Sequence, residues 1–227
     1  MEKKSSSLVY KGWCIFSKDL KSELRNRYAL NALLMFAVTT LVAVSFAVGQ
    51  FGLGENLLAA LFWIVIFFSA LSGLAQTFIK EEETKTASTL KLVASASSIY
   101  LGKLTFNIAL LLALEVVIVP LFFLLSNVGG ANLLLFFAVL ILASLGLAAA
   151  TTLIAAMVSK AAVKGALFAA LSFPILLPLL VTAIQGTELS FKGEAFMSGF
   201  SELKVLLSYL VVMLVASLML FDFVWSE

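Results

Sequence analysis

Apolar positions along this chain gather into six long runs with short polar segments between them. The runs lie at roughly Ala29 to Val48, Leu57 to Phe78, Leu104 to Leu125, Leu133 to Val158, Ala166 to Ile184 and Val205 to Val224. Each meets or nearly meets the ~20 residues that a helix needs to cross the hydrocarbon of a bilayer. No water reaches backbone amides there, so runs of this length must close their hydrogen bonds internally, as helices. The short alternating segments of a β-barrel are absent. The pattern predicts an all-α integral membrane protein with six transmembrane helices.

A different periodicity precedes the first run. Val9, Trp13, Phe16, Leu20 and Leu24 recur every three or four residues and share one helical face, while Lys11, Lys18 and Arg25 project from another. This predicts that residues 1–28 form a basic amphipathic (elbow) helix in the cytoplasmic membrane surface, with Trp13, Phe16 and Leu20 toward lipid. Residues 29–227 then form the six-helix domain. The other reading is a solvated tail that only sets orientation, which leaves Trp13 and Phe16 in water. A cleaved signal peptide competes for the first run, because Ser45 and Ala47 form a small-x-small pattern. Against it, the polar region before the run is too long, and the run exceeds a signal core of roughly 7–15 residues.

Charge orients the helices. Lys3, Lys4, Lys11, Lys18, Lys21, Arg25 and Arg27 precede the first run, Lys80, Lys85, Lys91 and Lys103 follow the second, and Lys160 and Lys164 follow the fourth. That is thirteen of the fifteen Lys and Arg; only Lys192 and Lys204 fall on the other side. The positive-inside rule then puts both termini in the cytoplasm. Composition agrees: 62% hydrophobic and 12% charged residues, with a mean hydropathy of +1.11, are far from the roughly 25% charged residues of a soluble domain. The single cysteine, Cys14, lies on the cytoplasmic side, where no intramolecular disulfide can form.

The segment 80–103 is the longest cytoplasmic loop. It opens with Lys80, Glu81, Glu82, Glu83 and Lys85, and continues with Ala87, Leu90, Val93 and Ala94 at helical spacing, with Lys91 and Leu92 among them. A short amphipathic helix here offers a small apolar ridge flanked by charge, the kind of surface that fits a groove on a soluble partner; the plainer alternative is a solvated hairpin. The chain has no phosphate-binding loop of its own: at Gly102-Lys103, Ser97 stands where the first glycine belongs and Leu104 where the hydroxyl belongs. It also has no histidine, which removes the commonest haem and metal ligand and the usual general base. These absences argue against an enzyme, a catalytic residue or a metal site in this chain.

Within the runs, Glu115 stands near the middle of the third. A carboxylate there costs about 2.5–3.5 kcal/mol on insertion scales, so it should face other helices, a water path or a cation, or else be protonated. The prolines all fall in runs: Pro120 in the third, Pro174 and Pro178 in the fifth. Each removes an amide donor and marks a bend, either a fixed kink or part of a gate. Ser144, Ala148, Thr152 and Ala156 form a small-residue stripe on the fourth run that suits close packing, inside the bundle or across a homodimer. The outer segment from Gln185 to Glu202 carries Phe191, Phe196, Met197 and Phe200. It reads as an aromatic belt anchor with a one-turn helix from Phe196 to Phe200, or as a contact for an extracytoplasmic partner.

Several stretches resemble the cytochrome c maturation protein B (CcmB), or haem-exporter B, family of ABC-type permeases. They are Lys18-Asp-Leu-Lys-Ser-Glu-Leu-Arg25 before the first run, Phe68-Ser-Ala-Leu-Ser-Gly-Leu74, Tyr100-Leu-Gly-Lys103, and Phe173-Pro-Ile-Leu-Leu-Pro-Leu-Leu180 after Lys164-Gly165. Order, spacing and six-run length agree over nearly the whole chain. The chain departs from the family pattern at Ala75 and Gln76, where members tend to carry an acidic-basic pair. It departs again across Lys85 to Ala94, where members tend to carry a Gly-x-Leu-Glu run leading to a proline.

The resemblance implies the permease subunit of an ATP-driven complex for c-type cytochrome biogenesis. Its implied partners are a cytoplasmic ATP-binding cassette subunit, a haem-handling membrane partner with a haem chaperone, and membrane lipid, with no nucleic acid. It implies that the complex handles haem and that the partner subunit binds ATP, with no cofactor held by this chain. Segment 80–103 would couple ATP binding to release of the haem-loaded chaperone, relayed through the third and fifth helices. The alternatives are a permease for a lipid, glycan or drug, a non-transport scaffold, and a channel or secondary transporter using Glu115.

Overall fold

The computed structural model describes residues 2–25, 27–48, 54–126, 128–159, 161 and 164–226. They are all-α, with no strand among the described residues. The helices are α1 (Glu2–Arg25), α2 (Tyr28–Val48), α3 (Glu55–Leu74), α4 (Gln76–Glu83), α5 (Ala87–Val93), α6 (Ala96–Ser126), α7 (Leu133–Val158), α8 (Lys164–Phe191) and α9 (Phe200–Ser226), with a 3₁₀ turn at Phe196–Gly199.

Five stretches are long and apolar enough to cross a membrane: α3 continued by α4, then α6, α7, α8, and α9 with the turn before it. The expected first span coincides with α2, but the apolar part described there, Leu33–Phe46, is shorter than a full crossing. The side chains of Ala29, Ala32, Ala47 and Val48 lie outside the described residues, as do those of Lys3 and Lys4 and the whole of Lys160.

The helices run alternately up and down. Glu83 with Lys164, Lys91 with Trp225, and Lys11 with the Val93 carbonyl meet at one end; Asn56 with Glu188 and Asn132 with Ser190 meet at the other. Helix α7 is central, packing on α3, α4, α6, α8 and α9. Its small residues Ser144, Ala148, Thr152 and Ala156 are all buried, so the stripe serves packing inside the chain. The main core runs along α7 from Leu135 to Ala150; a second core, at the Ala148 to Val158 end of that helix, gathers Ile15, Phe78, Ile99, Tyr100, Phe221 and Trp225.

Two expectations are corrected. The segment 80–103, expected as a loop holding one short helix, is shorter than that at both ends: Lys80 to Glu83 close α4, the expected short helix is α5, and Ala96 already begins α6. Hydropathy alone misplaces this boundary, because a helix can continue past the bilayer wherever packing covers it. Likewise the outer segment from Gln185 is still helix α8 as far as Phe191. Phe191 is buried, its ring centroid 5.8 Å from that of Phe136 and 6.0 Å from that of Phe122, and so is no belt anchor. Of that segment, Met197 and Phe200 are exposed.

Candidate functional site

Helix α4 ends in a Schellman motif. The Thr86 amide bonds back to the Glu81 carbonyl and the Lys85 amide to the Glu82 carbonyl. Lys85 takes the left-handed position of that motif at φ 56°, where glycine is usual. The reversal sends α5 back along the end of the bundle. Its inner face, Ala87 and Leu90, packs on the second core, while Leu92 is 88% and Val93 63% exposed. The amphipathic helix expected here therefore exists, but its outward ridge is Leu92 and Val93, with Lys85 and Glu83 exposed beside it.

Ties from this hairpin reach four other elements. Lys91 lies 5.5 Å from the centre of the Trp225 ring on α9, Glu83 lies 3.8 Å from Lys164 on α8, and Lys11 of α1 donates to the Val93 carbonyl at 2.9 Å. The tightest tie is a buried charge cluster. Lys103 of α6, 2% exposed, donates to Glu81 Oε1 at 2.7 Å and to the Thr77 carbonyl at 3.1 Å, and lies 2.9 Å from Asp19 Oδ2 of α1. Lys18 bonds the same Glu81 oxygen, and the Thr86 hydroxyl donates to the other. Burial works against the Lys18 ammonium, but its hydrogen bond to Glu81 and the charge of Asp19 outweigh that and hold its pKa above the ordinary lysine value. Glu81 is thus an internal residue, unlike its neighbour Glu83. Lys80 is half-exposed, 3.8 Å from Glu23.

Helix α1 can bring Asp19 this close because Gly12 meets Gly102 at the crossing. A Cβ on Gly102 would stand 2.7 Å from the Gly12 carbonyl oxygen. Ile15 is buried there, Phe16 and Leu20 are partly buried against the main core, and Trp13 is 62% exposed, 5.1 Å from the Phe16 ring.

Deeper in the bundle, the inner face of α6 carries two more polar groups. Asn107 accepts from Thr77 at 2.5 Å and donates to Thr152 at 2.8 Å. Glu115, 3% exposed, accepts from the Ser144 hydroxyl through Oε1, while its Oε2 has no hydrogen-bond partner among the described residues. Pro120, Pro174 and Pro178 sit on exposed helix faces, and α6 and α8 run on through them. The structure therefore gathers Glu81 with residues that sequence reasoning passed over, Asp19 and Lys103, and leaves Glu115 and the prolines apart from them. Lys103 was hidden by its position at the edge of an apolar run. An available signal was Asn107, four residues on and inside that run.

No curated protein and no solved structure matches the chain. The model of one family, described as CcmB protein, matches residues 10–226. With nearly all of its length matched, including every helix of the site just described, the chain belongs to the CcmB protein family.

Proposed function

We propose that the α4–α5 hairpin is the surface on which an ATP-binding subunit acts, and that its motion serves release or transfer of a haem-loaded chaperone at the opposite membrane face. Family membership makes the chain a multi-pass membrane component of the haem-export and cytochrome c maturation ABC system, a permease-type subunit and not itself an ATPase. The observation that carries the coupling role is the exposed pair Leu92 and Val93 on a helix otherwise tied to α1 and α9 and joined to α4 by the turn at Lys85. A ridge that offers apolar surface outward and is braced inward can transmit a push. In this reading α2 is the sixth span, α1 lies in the membrane interface, both termini are cytoplasmic, and the membrane is the bacterial inner one. The Lys and Arg asymmetry supports this orientation.

Haem stays with partner subunits, since this chain has no histidine to offer it. Transport of another substrate and a purely scaffolding role are tested by the same experiment. A deletion strain complemented with Leu92→Asp/Val93→Asp should make membrane protein at wild-type level, lose covalently haem-stained cytochromes, and lose coupled ATPase activity in the purified complex. Normal staining and ATPase activity with that double variant would refute the coupling role. Normal staining without the gene, in a strain lacking a second copy, would refute the pathway. Charge reversal at the exposed Glu83 would leave the buried cluster intact, whereas reversal at Glu81 would break it.

A further inference from the structure

Between α1, α2, the α3–α4 helix and α6 lies a cavity of about 610 Å³, within the roughly 300–1,000 Å³ typical of small-molecule sites. It is amphipathic along its length. One end is walled by Leu33 and Phe36 of α2 and by Phe106 and Leu110 of α6, and the other carries Lys18, Lys80 and Lys103 opposite Asp19, Glu23 and Glu81. Ser72, Gln76 and Lys80 form an exposed edge at four-residue spacing along α3 and α4, and Phe36 is 44% exposed. The cavity is therefore open sideways, toward the lipid that would surround this end of the bundle.

We infer that this cavity binds a zwitterionic aminophospholipid, taking its headgroup at the charged end and the start of one acyl chain along the apolar end. The inference rests on the reading that this end of the bundle sits at a membrane surface. Charge balance selects the headgroup: three cations face three carboxylates, so a purely anionic lipid would meet as much repulsion as attraction. A headgroup carrying both a phosphodiester and a primary ammonium matches both sets. A quaternary ammonium could not donate hydrogen bonds to the carboxylates.

The pairs already present differ in how available they are. Lys103 is held at 2.7 and 2.9 Å by Glu81 and Asp19. Lys80 and Glu23 stand 3.8 Å apart with Lys80 half-exposed, and the Ser22 hydroxyl lies 3.3 Å from the Lys80 ammonium. Lys80 and Ser22 are placed to donate to the phosphate, and Glu23 to accept from the ammonium. Asp19 Oδ2 adds a buried acceptor that receives no aligned hydrogen bond despite its nearness to Lys103. A lipid seated here would wedge α1 against α3.

The test is native mass spectrometry of the full-length chain in mild detergent. Acyl-matched phosphatidylethanolamine, phosphatidylcholine and phosphatidylglycerol are offered in turn, alongside soluble phosphoethanolamine. The ethanolamine lipid should be retained about tenfold better than the other two, a difference well resolved as affinity, and soluble phosphoethanolamine should not bind. Glu23→Gln/Lys80→Gln, which keeps the net charge, and Ser72→Trp, which fills the groove, should each erase the preference while leaving the unfolding temperature unchanged. Equal retention of all three lipids, binding of phosphoethanolamine as tight as that of the lipid, or a preference that survives Glu23→Gln/Lys80→Gln would overturn the proposal. Failure of the membrane orientation itself is read separately, by labelling Cys14 in intact cells.

Discussion

Lys103 has almost no contact with water, and its charge is balanced by Asp19, Glu81 and the Thr77 carbonyl. Such a cluster adds little net stability over an apolar replacement of the whole set, but removing one member strands the others. Lys103→Met should therefore cost about 3 kcal/mol, seen as a lower unfolding temperature in detergent, and an unchanged temperature would show the cluster to be hydrated. Glu115 differs: among the described residues it has one hydrogen-bond partner, the Ser144 hydroxyl on α7, and no ion pair. Its geometry is that of a polar contact between α6 and α7. Both residues are visible in the sequence as charges, but Glu115, lying mid-run, already reads as interior, whereas Lys103, at a run's edge, is buried only by the packing of α1 and α4 on α6.

Among the elements, α4 and α5 depend on a single backbone reversal at Lys85. A non-glycine residue in the left-handed region costs about 1–2 kcal/mol, and glycine loses part of that gain through its greater freedom when unfolded. Lys85→Gly is expected to raise thermal stability by up to about 1 kcal/mol; a loss would mean the lysine side chain itself holds the hairpin. The α1–α6 crossing depends on glycine for a different reason, close approach. Gly102→Ala puts a Cβ 2.7 Å from the Gly12 carbonyl oxygen and 2.8 Å from Ile15 Cβ, an overpacking worth about 1–3 kcal/mol. Limited trypsin digestion should then cut faster at Lys21 and Arg25 as α1 lifts, whereas Gly129→Ala, with nothing within 4 Å of its Cβ, should digest like the wild type. The amphipathic period of α1 was legible from its sequence. The face chosen for packing was not, since Gly12 and Ile15 rather than Val9 and Trp13 meet α6.

At the scale of the molecule, the end carrying the α4–α5 hairpin also carries the described cations of α1 and Lys164, while Lys192 and Lys204 stand with the opposite end. If that cation-rich end is cytoplasmic, Cys14, exposed on α1, will react with a membrane-impermeant maleimide only after the cells are opened. Labelling in intact cells would invert the orientation. The same end gathers the hairpin, the charge cluster and the cavity, so a force applied at Leu92 and Val93 enters where α1, α6, α8 and α9 are already joined.

Sequence by itself determined the membrane class, the placement of α7 to the residue, the sidedness of charge and the likeness to a permease family, because hydrocarbon thickness and the cost of burying charge act on each segment separately. Tertiary structure alone decided that Lys103 and Glu81 are interior, that α1 docks through Gly12 and Ile15, that Phe191 is core, and which face of α5 is left open. Those outcomes depend on which surfaces meet, and residues 19, 81 and 103 become neighbours only when three helices pack together.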